Sequence, residues 1–404
     1  MRIADRMRDL GTETAFAVAD RASAQAAFGA AVYPFHLGDL NFRTPRNIAE
    51  AAYLAIKEGK TGYCPNAGIA PLRAALAADV NARRGTSYTA DNVSIQPGGK
   101  PVIGKFIQTL MNPGDEVLFP SPGYPIYESQ IRYFGGKALP YGFVAKEGTF
   151  RIDLEGLERS ISPRTRLIIV NDFHNPTGAV CSPEEQGELA KIVRRHDLVA
   201  LLDEAYFEIH YAGVPRSIVS QPGMAERSVL LYTFGKKFAM TGWRLGAAIG
   251  PAEVIALITR LNVNNESCSA HFVQYAGLEA LRGGQGEYEK MLKELRERRD
   301  AALSILNSIP GVSCFSPVAS FYLYPDVTEL MDKKGFGGDY AAFAEDVLVR
   351  AGVSFCTRIH FGEPLPGENR HYLRLAFSGI GLEGIRAGLN RLREYAAGCQ
   401  EARD

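Results

Sequence analysis

The chain carries a series of short apolar runs, each closed by polar or turn residues, at 117–119, 167–170, 198–202, 229–232 and 245–249. Runs of this length that are apolar throughout, rather than alternating, fit strands buried on both faces. That is the state of strands in a parallel sheet covered by helices. Strand and helix patterns alternate from about residue 48 to residue 280, which predicts an α/β fold with a mostly parallel sheet. One covering helix has its start written out. Ser182 can cap it, Pro183 suits its first position and Glu185 completes a capping box, after which Leu189, Ile192 and Val193 give an apolar stripe.

Gly283-Gly284 interrupts this pattern. A charged helical stretch follows over 287–306, and further helices are expected over 340–351 and 382–397. We therefore expect a large domain over residues 46–280 and a smaller α+β domain built from 281–404. Residues 1–45 show no strand pattern of their own and are assigned to the small domain as a packing segment. A chain of 404 residues has room for both.

Charge narrows the partners. Lys+Arg and Asp+Glu each number 45, and there is no basic run, so no field favours nucleic acid or an anionic membrane. No apolar stretch reaches the roughly 18 residues that a membrane helix needs, and the first ten residues lack the apolar core of a signal peptide. The expectation is a cytoplasmic protein. Its six cysteines, Cys64, Cys181, Cys268, Cys314, Cys356 and Cys399, are scattered with no C-x-x-C pair. That pattern points to reduced thiols rather than disulfides or zinc, and no metal site is expected.

The residues with chemical potential cluster just past the apolar runs, where open α/β sheets bind ligands. Thr233-Phe234-Gly235-Lys236 follows one run, and Arg244 lies eight residues on, in Met240-Thr241-Gly242-Trp243-Arg244-Leu245-Gly246. A buried lysine near cations has a lowered pKa and supplies the neutral amine that attacks a carbonyl. Thr233 and Arg244 suit a phosphate. A solvated loop is the plainer alternative, and Lys237 is expected to be a solvated neighbour. Asp203, in Asp203-Glu204-Ala205-Tyr206, follows four apolar residues and needs a partner such as a protonated ring nitrogen, or else caps a helix. Tyr206 is placed to donate to a ring hydroxyl.

Four more segments fit the same picture. Asn175 sits in the fixed turn Asn175-Pro176-Thr177-Gly178, and Gly98-Gly99-Lys100 opens a helix whose N-terminus favours an anion. Tyr124, in Pro122-Gly123-Tyr124-Pro125-Ile126-Tyr127, offers a flat ring for stacking. Arg374 lies within the apolar run Tyr372–Phe377 and needs a carboxylate, which is either a substrate's or an internal glutamate's. Structural turns and packing account for each segment singly.

Taken together and in this order, the segments resemble the class I/II aminotransferases, the fold type I pyridoxal phosphate enzymes, over nearly the whole chain from Gly38-Asp39-Leu40-Asn41-Phe42-Arg43-Thr44-Pro45 to Arg374. The resemblance implies a seven-stranded-type sheet and pyridoxal 5'-phosphate held by Lys236 as an imine. Lys236 would also carry a proton between substrate and cofactor carbons. Asp203 would pair with the ring nitrogen, Tyr206 and Asn175 would bond the ring hydroxyl, and Tyr124 would stack on the ring. Gly98, Gly99, Thr233 and Arg244 would hold the phosphate, with Lys100 beside them as a further cofactor contact. Tyr63 resembles a tyrosine that reaches the partner subunit's phosphate, which implies a homodimer with shared sites. Gly38, Asn175 and Arg374 would bind the substrate α-carboxylate, in transfer from an L-amino acid to a 2-oxo acid.

Departures from the pattern also carry information. Gly235 stands where a serine is frequent, Lys100 where a small hydroxyl residue is frequent, and Ala319-Ser320 and Thr357-Arg358 replace other pairs near the substrate side chain. Arg358, with His360, is the candidate for reading a polar or acidic side chain; a surface arginine is the alternative. Other fates of the same chemistry, as in a β-lyase, synthase or oxidase, remain open. A non-catalytic regulator lacks room for a DNA-binding module. A nicotinamide dehydrogenase lacks G-x-G-x-x-G after the first strand.

Overall fold

A computed structural model of the chain describes residues 1–398; Cys399 and the last residues of the expected small domain lie outside them. The large sheet has seven strands, which we number β1 (Val93–Gln96), β2 (Glu116–Pro120), β3 (Lys137–Tyr141), β4 (Thr165–Asn171), β5 (Val199–Asp203), β6 (Ser228–Thr233) and β7 (Gly246–Ile249). Their spatial order is β1-β7-β6-β5-β4-β2-β3. Only β7 runs antiparallel to its neighbours. All five apolar runs are strands of this sheet. β1, β2 and β7 are buried at every position, as strands covered on both faces must be.

The helix Pro183–Arg195 begins as its residues dictate. Ser182 accepts the Glu185 amide and Glu185 returns a bond to the Ser182 amide. Its stripe of Leu189, Ile192 and Val193 is buried against the sheet. Each such side chain contributes roughly 1.5–3 kcal/mol on leaving water. Losing the Ser182 cap costs about 1 kcal/mol.

Beyond Gly283, helices form at Gly286–Leu306, Tyr340–Ala351 and Leu382–Ala397. They cover a three-stranded antiparallel sheet of Tyr322–Leu323, Leu373–Ala376 and Cys356–Thr357. The N-terminal segment contributes a helix, Ala15–Ala27, and a two-residue strand, Tyr33–Pro34, that pairs in parallel with Val353–Ser354. That strand is too short to leave a periodic pattern in the sequence. A separate core around Phe343, Leu375 and Leu389 extends to Tyr206 and Phe207, so the small sheet packs directly against the loop that follows β5. No helix among the described residues is long and apolar enough to cross a membrane.

Candidate active site

The parallel strands end side by side. Asn171 at the end of β4 is in register with Asp203 at the end of β5, and Thr233 closes β6. Their loops, with Gly99 and Tyr124 from the loops after β1 and β2, surround a cavity of about 570 Å³. Lys236, Tyr206, Asn175 and Arg244 reach it from the loops of the large sheet, Tyr322 and Arg374 from the smaller sheet, and Gly38 from the N-terminal segment. Ligand sites in open α/β sheets are built at such strand ends.

Lys236 donates to the Gly38 carbonyl at 3.1 Å. Burial pulls its pKa from 10.5 to about 8, so a sizeable fraction of the amine is neutral near physiological pH. Asp203 is 6% exposed, and burial raises its pKa. Tyr127 donates to its Oδ2 at 2.6 Å and the Ala205 amide to its Oδ1 at 3.2 Å, which fixes the carboxylate. Such a group is poised for a cationic partner from the cavity. Tyr206 shares a hydrogen bond with Tyr322 at 2.7 Å, hydroxyl to hydroxyl.

Arg374 is likewise buried. Its Nη2 donates to the His36 carbonyl at 2.6 Å and its Nη1 to Asn175 Oδ1 at 3.3 Å, while Nε has no partner among the described residues. An orphaned buried guanidinium donor at a cavity wall marks a place for an anion. Phosphate chemistry fits the opposite end. A Cβ on Gly98 would fall 2.3 Å from Arg244 Nη2, so only glycine leaves that guanidinium its position beside the loop. Arg244 itself has φ of 53°, and its Nη1 bonds the Thr241 carbonyl at 2.8 Å. Gly38 is needed for a related reason: its Cβ would meet the Tyr322 hydroxyl at 2.1 Å.

Several expectations change. Arg358 is fully buried and does not line the cavity. Its Nε and Nη2 fork onto Glu368 at 2.6 and 2.9 Å, Nη1 donates to the Gly362 carbonyl, and Nη2 also reaches Ser121 Oγ at 3.1 Å. Every nitrogen is occupied, so Arg358 braces the loop before Tyr124 against the smaller sheet and is neither a substrate contact nor a surface residue. His360 turns back onto the Thr357 amide at 3.0 Å. Ala319, Ser320 and Thr357 are buried away from the cavity. Lys237 is buried too and not a solvated neighbour: Glu208 lies 3.6 Å from its ammonium, and the rings of Phe238 and Tyr288 lie at 5.0 and 5.1 Å.

Lys100 lines the cavity, but its ammonium is paired with Glu13 at 2.6 Å. Tyr63 is 89% exposed and lies outside the cavity of its own chain. The sequence reading missed Glu13, Tyr127 and Tyr322. Tyr127 lay in the segment of Tyr124 already singled out, and Tyr322 lies two residues past the Ala319-Ser320 departure. Glu13 left no local signal, since its partner is 87 residues away.

Fold and cavity together define an enzyme that handles amino acids through a carbonyl cofactor. The family model for aminotransferase class I and II matches residues 28–392. The chain is 33% identical to an aspartate aminotransferase of Musicola paradisiaca, over 99% of this chain and 98% of the relative. Its structure superposes on the aspartate aminotransferase of Thermus thermophilus with a TM-score of 0.89 and 31% identity, covering 98% and 100% of the two chains. An alanine aminotransferase of Pyrococcus furiosus gives a TM-score of 0.90 at 27% identity, covering 98% and 100%. The chain belongs to the class I and II aminotransferases. It is a pyridoxal phosphate-dependent transaminase, and its α/β fold is that of these relatives.

Proposed function

We propose that the enzyme moves the amino group of an L-amino acid to 2-oxoglutarate, in two half-reactions at one site. The observation that carries this reading is the pairing of a partly neutral Lys236 with a buried Arg374 whose Nε lacks a partner among the described residues, both facing one cavity. Pyridoxal phosphate supplies a carbonyl that takes up an amino group and a ring that draws electrons from Cα. Gly98, Gly99, Thr233 and Arg244 would hold its phosphate, Tyr124 its ring face, Asp203 its ring nitrogen, and Tyr206 with Asn175 its hydroxyl. Arg374, Asn175 and Gly38 would orient the α-carboxylate, and Lys236 would take and return the proton at Cα.

On this reading residues 46–280 form the cofactor domain, and 1–45 with 281–404 form the small domain. We also infer a cytoplasmic homodimer. Tyr63, and Tyr53, Leu54 and Ile56 on the helix Arg46–Lys57, are exposed large apolar side chains that a second copy would cover. Cys64, Cys181, Cys268, Cys314 and Cys356 are free, in keeping with a reducing compartment.

A screen of amino acids against 2-oxoglutarate, read as glutamate formed, tests the reading. Release of ammonia without glutamate would replace it with a lyase or oxidase.

A further inference from the structure

We propose that Glu13 and Lys100 form the side-chain subsite of this enzyme and favour a substrate with a neutral carboxamide over one with a carboxylate. The inference rests on the reading above, in which Arg374 takes the α-carboxylate and Lys236 faces the amino group. With those two ends fixed, a substrate side chain is left with the rest of the cavity wall. That wall includes Glu13, Ala15 and Phe16 from the N-terminal segment, and Lys100 and Ile103 from the helix Lys100–Leu110. Outside the groups assigned to the cofactor and the α-carboxylate, its formal charges are this pair and Asp39, whose Oδ1 is already held by the Thr241 hydroxyl and the Leu40 amide.

The pair is closed on one side and open on the other. Lys100 Nζ donates to Glu13 Oε1 at 2.6 Å, and the Tyr124 hydroxyl donates to the same oxygen. Glu13 Oε2 accepts no hydrogen bond among the described residues. Lys100 has three ammonium protons, of which Glu13 uses one. The subsite therefore offers one free acceptor next to free donors. A carboxamide matches both: its N–H bonds go to Glu13 Oε2 and its carbonyl oxygen accepts from Lys100, with the ion pair intact. A carboxylate finds the same donors but faces Glu13 at close range, and must share Lys100 with it or displace it. An ammonium side chain meets the converse repulsion from Lys100. The preference is relative, because a dicarboxylate such as 2-oxoglutarate still finds the Lys100 donors, shared with Glu13.

The test uses the cofactor-loaded enzyme without an acceptor. The change in cofactor absorbance gives a half-reaction kcat/KM for L-asparagine and L-glutamine, and for L-aspartate and L-glutamate. Each is taken relative to L-alanine in the same variant. The expected amide-to-acid ratio is above one by roughly tenfold, the discrimination that hydrogen-bonded subsites reach at partly exposed positions. Glu13→Gln removes the anion and moves the ratio toward the acids by roughly tenfold or more. Lys100→Met lowers amides and acids alike relative to alanine. A wild-type ratio at or below one overturns the inference. So does a Glu13→Gln variant in which amides and acids move together, or an unchanged amide rate in Lys100→Met. If no amino acid converts the bound cofactor, the aminotransferase reading itself falls. If alanine converts it but the ratios stay flat, only the subsite does.

Discussion

Tyr127 donates its phenol hydrogen to Oδ2 of Asp203 at 2.6 Å, and both side chains are buried. The Ala205 amide holds the other carboxylate oxygen, so the acid reaches the cavity in one orientation. Burial alone favours its neutral form, and the Tyr127 bond works against that by stabilising the anion. Tyr127→Phe keeps the packing and removes one hydrogen bond to a charged group, worth about 1.5–3 kcal/mol. We expect the affinity of the apoenzyme for pyridoxal phosphate to fall by roughly 10- to 150-fold, measured by absorbance titration. Unchanged affinity would show that Asp203 is held without Tyr127.

Lys236 sets a pH dependence of its own. Burial depresses its pKa to about 8, so the amine loses its proton as pH rises through that value rather than through 10.5. Only the neutral amine attacks a carbonyl. The rate of pyridoxal phosphate capture by the apoenzyme is therefore expected to rise with pH and level off above about 8. Lys236→Ala should capture none covalently, seen as no mass increase after borohydride reduction. A rate still climbing steeply past pH 9.5 would mean that the lysine is not desolvated as the geometry implies.

Arg358 gives a stability prediction in place of a specificity one. Its guanidinium has no exposure and is forked onto Glu368, whose side chain is 20% exposed. Arg358→Ala strands that carboxylate and frees the Ser121 and Gly362 contacts. Breaking a buried pair from one side costs about 3–5 kcal/mol, and the lower end applies because Glu368 retains some water. The midpoint of urea unfolding should fall accordingly, while the relative kcat/KM for acidic and neutral substrates stays constant. A changed substrate ratio with unchanged stability would return Arg358 to the substrate site.

The large sheet was legible in the sequence to the extent that its strands are apolar throughout. β2, β4, β5, β6 and β7 each carry such a run, and each was expected within a few residues. β1 is half polar, with Ser94 and Gln96 buried only because Asn262 and Lys105 bond them. β3 is an edge strand that begins at an exposed Lys137 and contains Pro140. Neither shows in a hydrophobic pattern, because tertiary bonds or edge position stand in for burial. The site followed the same rule. Residues at strand ends, such as Asp203 and Lys236, were readable from their neighbours in sequence. Glu13 was not, since an ion pair between distant segments leaves no trace in either one, and neither was Glu368, which is only ten residues from Arg358 but across an irregular loop that has no periodic pattern to read.

Arg374 carries the last prediction. Its Nη2 and Nη1 each give one hydrogen bond, to the His36 carbonyl and to Asn175, which aim the guanidinium, and the Tyr322 ring lies 4.5 Å beneath it. Nε, without a partner among the described residues, is then part of the edge that a substrate carboxylate would meet. Lysine has one charged nitrogen and no planar fork, so Arg374→Lys retains the charge and loses the aim. Weakening a buried, hydrogen-bonded charge contact of this kind costs about 2–5 kcal/mol, which lowers kcat/KM by roughly 30-fold to several thousandfold. Every amino acid has the same α-carboxylate, so the loss should be uniform across L-alanine, L-asparagine and L-aspartate, with the visible absorbance of the bound cofactor unchanged. This uniformity separates Arg374 from Glu13, whose substitution is expected to reorder the substrates. A loss confined to one side-chain class would move Arg374 from the common end of the substrate to the variable one.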